Sequence, residues 1–84
     1  MLETVAEALF ECLMFLELSD DEAVNPDDAV RVMETVMHLL GRLSIADRSE
    51  LIRLAQAQAD REVSAVRREF LLALPQAFGL VGED

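Results

Sequence analysis

The sequence predicts an all-α fold, a small antiparallel bundle of three to four helices formed as one domain over residues 1–84. Three observations carry that expectation. Apolar residues recur every three to four positions through most of the chain, the period that gathers them on one face of a helix. Two strings read as helix starts. Asn25-Pro26-Asp27-Asp28 offers a cap, a proline at the first helical position and acids in the first turn, and Ser44-Ile45-Ala46-Asp47 resembles a capping box. Nowhere do β-branched residues form the alternating, turn-bounded run that a strand needs.

The first helix is expected over residues 2–18, with Leu2, Val5, Leu9, Leu13 and Leu16 on the core stripe and Cys12 beside them as a small core hydrophobe. Glu3, Glu7 and Glu11 share the opposite face. Phe10, Met14, Phe15 and Leu18 fall outside the stripe, near or inside the acidic face, where a wide interior covers them or a partner does. Ser19-Asp20-Asp21-Glu22 ends the pattern.

The second helix is expected from Pro26 to about Leu43, burying Ala29, Val32, Met33, Val36, Leu39, Leu40 and Leu43. Arg31, Glu34, Thr35, His38 and Arg42 form its wet face together with Gly41, an interior glycine costing ~1 kcal/mol. The third follows Ser44, with Ile45, Leu51, Ile52, Leu54, Ala55 and Ala59 apolar. No glycine or proline interrupts residues 42–74, so one long helix or two shorter ones fit the pattern. The usual helix length of ~8 to 20 residues favours a break near Asp60. Asp60 would then cap a fourth helix with Val63, Val66, Phe70 and Leu74 on its apolar face. Pro75 should end that helix or start a terminal turn. Phe78, Leu80 and Val81, bracketed by Gly79 and Gly82, read as an apolar tail folded back on the bundle. Short connections imply antiparallel neighbours.

The charge distribution carries most of the functional information. The chain is −10 at pH 7, with seventeen acids against seven bases, all arginine. Residues 1–30 hold nine acids and no base, so nearly all the excess sits in the first third. Nucleic-acid backbones and anionic membrane surfaces both call for arrayed positive charge and are disfavoured. A basic protein partner is favoured, because a one-signed patch speeds encounter with an opposite one. No unbroken apolar run is longer than Cys12 to Leu16, which Phe70 to Leu74 equals, and both are far short of the ~20 residues of a membrane span. The start of the chain lacks the positive charge of a secretory signal, so a cytoplasmic location is expected.

No set of residues assembles an active site. His38 is the sole imidazole and sits mid-helix on a polar face, without a neighbouring nucleophile. One histidine and one cysteine cannot furnish a zinc site. The acids from Asp20 to Asp28 miss the calcium-loop spacing, since Asn25 stands where glycine is needed and Arg31 where glutamate is needed. The expectation is therefore a non-enzyme without metal or cofactor. In size and acidity the chain resembles the acyl carrier proteins, but Asp47-Arg48-Ser49-Glu50-Leu51 and Leu18-Ser19-Asp20-Asp21 do not reproduce their Asp-Ser-Leu attachment motif.

Three stretches have the character of small bacterial proteins that accompany toxins: Phe15 to Glu22 with Asn25 to Ala29, Leu43 to Asp47, and Arg68 to Phe70 through Leu74 to Leu80. On these and on its format the chain resembles the small acidic α-helical immunity proteins, bacterial inhibitors that neutralise a cognate toxin. The nuclease-inhibiting members place tyrosines in their binding helix, and this chain has none, so no binding residue carries over. The resemblance implies an inhibitor that docks on a basic partner. From the residues themselves, Phe10, Met14 and Phe15 are the candidate apolar anchors. Glu3, Glu7, Glu11, Glu17, Asp20, Asp21 and Glu22 are the candidate rim charges. The alternative is a self-associating structural module, a homodimer whose seam uses the extra apolar residues of the first helix.

Overall fold

Side-chain oxygens set where the helices begin. The Asn25 Oδ1 accepts the N–H groups of Asp27 (2.8 Å) and Asp28 (3.2 Å), pairing two of the orphan donors of a helix that starts at Pro26. Ser44 Oγ accepts from Asp47 N–H (3.1 Å), and Ser64 Oγ from Arg67 N–H (3.3 Å). The computed structural model describes residues 2–81. Gly82, the expected far bracket of the apolar tail, lies outside them. The result is an all-α small bundle of four helices: α1 (Leu2–Leu18), α2 (Pro26–Leu40), α3 (Ile45–Arg61) and α4 (Ala65–Ala77). No described helix is long and apolar enough to cross a membrane.

Three boundaries differ from expectation, each for a local reason. α2 stops at Leu40 rather than near Leu43. Gly41, Arg42 and Leu43 leave the helix through a tight turn in which Arg42 N–H bonds Leu39 O (3.0 Å) and Leu43 N–H bonds Leu40 O (3.1 Å). The break after α3 falls at residues 62–64, and Ser64 caps α4, whereas Asp60 lies inside α3. Side chains hold that link extended: Glu62 Oε2 accepts Ser64 N–H (3.2 Å) and Arg68 Nε donates to Glu62 O (3.3 Å). α4 runs through Pro75 to Ala77, with the proline placed in its last turn, so that the bond it cannot donate and the crowding of its ring fall next to where the helix ends. A Schellman motif then closes the helix. Leu80 N–H bonds Pro75 O (2.8 Å), Gly79 N–H bonds Gln76 O (3.2 Å), and Gly79 takes the left-handed φ of 72° that the motif requires. Phe78 and Leu80 are thereby buried as expected, while Val81 is exposed.

The core joins Ala6, Phe10, Leu13 and Met14 of α1 to Leu51, Leu54, Ala55 and Ala59 of α3, Leu71 and Leu74 of α4, and Phe78 and Leu80. This corrects the reading of α1. Of its expected stripe only Leu13 is buried; Leu9 and Leu16 are half-buried, and Leu2, Val5 and Cys12 are exposed. At 100° per residue the true buried face is turned by roughly a quarter of the helix circumference. A helix apolar on nearly every side does not select its own inner face, and packing against α3 and α4 decides it.

α3 and α4 pack most extensively on each other, and α1 lies against both. α2 reaches the rest of the bundle chiefly through α1. Of its seven expected core residues, Ala29 alone is buried. Met33, Val36, Leu40 and Leu43 are half-buried, and Val32 and Leu39 are exposed. Ile45, Val63 and Val66, expected inward on α3 and α4, are exposed too, Val63 at 91%. They sit at the first turn of α3, in the extended link and at the start of α4, where no neighbouring helix covers them.

Candidate functional site

The acidic stripe of α1 does not stand opposite the core. The rotation of the buried face brings Glu7 and Glu11 to its border, beside α3 and α4, where arginines meet them. Glu11 Oε2 accepts from Arg67 Nη2 at 2.5 Å, and the same guanidinium bonds Glu62 Oε1 through Nε at 3.1 Å. Arg67 thus ties α1 to the α3–α4 link. Its hydrogen bond, with the Ser64 N–H bond second, holds the Glu62 carboxyl below the ordinary glutamate range, and the two carboxylates, Glu62 foremost, raise Arg67 in turn. Glu3 and Glu7 line a polar depression between α1 and α3 with Arg53, Gln58 and Arg61. Arg53 also pairs with Glu50 on its own helix, lowering that carboxyl through the hydrogen bond. Of the stripe, Glu11 therefore fastens α1 to α4, while Glu3 and Glu7 share their depression with arginines of α3.

Charge is less compensated at the next turn. Asp20 Oδ1 accepts the N–H groups of Glu22 (3.1 Å) and Ala23 (3.0 Å), which fixes the chain in a turn and presents Asp21 and Glu22 to solvent. Among the described residues, none of Glu17, Asp20, Asp21 and Glu22 forms an ion pair. These four candidate rim charges form one acidic end of the bundle.

The three candidate anchors separate sharply. Phe10 is 0% exposed and Met14 1%, so neither has surface to offer a partner, and both are corrected to core residues. They lie outside the sequence's apparent stripe, of which Leu2, Val5 and Cys12 face solvent and Leu16 borders α2. Phe15 is 57% exposed and shares a shallow apolar surface with Leu18 and Val66.

A second apolar surface was not expected. α2 and α4 leave between them an open groove of about 360 Å³, lined by Val30, Met33 and Met37 on one wall and by Phe70, Ala73, Leu74, Ala77 and Phe78 on the other. Glu17 and Glu34 are the charged residues along it. The signal was present in α2, where Val30 and Met37 lie seven residues apart with Met33 between them. Met33 belongs to the expected buried face, and Val30 and Met37 extend it sideways as a helical stripe that neither the expected buried face nor the expected wet face includes. His38 and Cys12 are exposed, away from this lining. Among the described residues no cluster of three or more His, Cys, Asp or Glu side chains is placed to hold a metal ion. Comparison with family models, curated proteins and solved structures finds no match to this chain.

Proposed function

We propose that this chain is a small acidic protein-binding module that docks on a basic protein through the acidic end formed by Glu17, Asp20, Asp21 and Glu22. An immunity-type inhibitor is the specific form of that role its sequence suggests. The observation that supports the reading is the contrast between two sets of acids. Glu11 is paired with Arg67, and Glu3 and Glu7 line a depression together with Arg53 and Arg61. The turn after α1 instead holds Asp20, Asp21 and Glu22 on the surface without an ion-pair partner among the described residues, and no arginine lines the depression that Asp21 borders. Holding like charges together at a rigid turn favours an opposite charge arriving from outside.

The test is capture from the source cell with the tagged chain, run beside a charge-reversed variant, Asp21→Arg with Glu22→Arg. Asp20 is left intact because it holds the turn. The expected result is one stoichiometric basic protein, held by the wild type at low salt, weakened by high salt and lost by the variant. Equal capture by both would reject this surface. Recovery of the chain alone would favour the second reading, a homodimer seamed at Phe15, Leu18 and Val66, which the exposure of that apolar patch supports.

A further inference from the structure

The α2–α4 groove is apolar on both walls, open along its length and acidic at its edges, and each property narrows what fits it. Glu17 and Glu34 line it and no base does. Glu69 stands one helical turn before Ala73, adding a third carboxylate near the same wall. A second copy of this chain would bring acid against acid, at −10 per molecule. A small molecule would keep much of its surface in water, because the groove is open where ligand sites enclose.

An amphipathic helix meets all three conditions. It lays one apolar stripe in a groove, leaves its far side in solvent and sets its flanking residues along the rim. Met33 and Met37 are unbranched and polarizable, suited to reshape around incoming side chains. The groove also continues to the acidic turn. Glu17, Val30 and Met33 line both it and the adjoining depression with Asp21 and Val24. A helix seated along α2 would run its end towards Asp21.

We propose that the α2–α4 groove receives a helix of the partner protein, apolar at positions i, i+3 or i+4 and i+7, with lysine or arginine on both flanks. The inference rests on the acidic-end reading for the sign of the partner's charge, and adds to it the partner's conformation and apolar pattern.

The experiment titrates the full chain into three labelled eighteen-residue peptides and reads fluorescence anisotropy. One carries leucine at the helical spacing with flanking lysines. The second has the same composition in scrambled order, and the third replaces each lysine of the first with glutamate. The patterned basic peptide is expected to bind at least tenfold tighter than either control, and to perturb the methyl resonances of Met33 and Met37. Met37→Glu and, on the opposite wall, Ala73→Glu are each expected to weaken it at least tenfold. Both positions are exposed, Met37 at 40%, so thermal melts of the two variants should match the wild type. Should one variant melt early, the other still reads its own wall.

Equal, salt-sensitive binding of the patterned and scrambled peptides would overturn the groove and leave the acidic end standing. Tight patterned binding that ignores Asp21→Arg with Glu22→Arg but is lost in Met37→Glu would uphold the groove and reject the acidic end. No peptide binding, with concentration-dependent dimers abolished by Ala73→Glu, would assign the groove to a second copy and overturn the proposal.

Discussion

α2 and the α3–α4 pair invert the relation expected between pattern and burial. α2 has the cleanest separation of apolar and polar residues in the chain, yet Ala29 is its one buried residue. α3 is more polar and mixes its faces, yet buries Leu51, Leu54, Ala55, Gln58 and Ala59 against α4 and α1. Periodicity reports which side of a helix is apolar. It does not report whether the chain possesses anything to cover that side. In an 84-residue domain the supply of covering surface is short, and three helices consume most of it. The fourth keeps an apolar face half in water, which is the property a binding surface needs and a core helix lacks.

The comparison is broken most forcefully by removing matched leucines. Leu71→Ala, at a fully buried position of α4, is expected to cost about 2–5 kcal/mol, the range for emptying a core site. Leu39→Ala, on the exposed part of α2, is expected within about 0.5 kcal/mol of the wild type, as for ordinary surface positions. Urea midpoints of the two variants measure this. A loss above 2 kcal/mol in Leu39→Ala would mean that α2 is as firmly seated as α4.

A smaller effect sharpens the same contrast through the caps. Asn25→Ala and Ser64→Ala each remove a side-chain acceptor from a helix start, at a cost of about 1 kcal/mol. The two should register differently. Loss of the α2 cap is expected to speed amide hydrogen exchange within α2 while leaving exchange from α3 and α4 nearly unchanged, since a lightly packed helix opens by itself. Loss of the α4 cap is expected to lower protection throughout the core. Uniform acceleration in both variants would show that α2 unfolds only with the whole domain.

Much of the fold is legible in the sequence because helix starts are local chemistry. Asn25 and Ser44 cap where the strings place them, and Phe78 and Leu80 fold back as the glycine at 79 suggests. What escapes the sequence is relational. The inner face of α1 depends on two helices distant in the chain, so Phe10 and Met14 are misplaced as anchors. The pairing of Glu11 with Arg67 spans fifty-six residues. The break at residues 62–64 offers a serine cap at Ser64 that the reading of Asp60 as cap passes over, and the glutamate that accepts the Ser64 N–H and grips Arg67 has no local pattern of its own. The groove is the hardest to foresee, since it is a gap left between elements and has no string of its own.

The smallest expected effect concerns that link and turns on pH. Arg67 and the Ser64 N–H both favour the ionised Glu62 carboxylate, so its folded-state pKa is depressed. A depressed carboxyl contributes stability that is fully present above the unfolded-state value and is lost as pH falls through the folded-state value. Glu62→Gln keeps the shape and removes the charge. At neutral pH the variant is therefore expected to be modestly less stable than the wild type, and the difference should shrink towards nothing as pH falls below the ordinary carboxylate range. Urea midpoints of both proteins along a pH series read the difference directly, with the general acid response of the other carboxylates common to both. A gap that is absent, or that stays constant with pH, would mean that ionisation of Glu62 adds nothing to the stability of the α3–α4 link. A gap that closes on acidification would place the ion pair among the forces that fasten the packed half of the molecule, the half from which α2 stands apart.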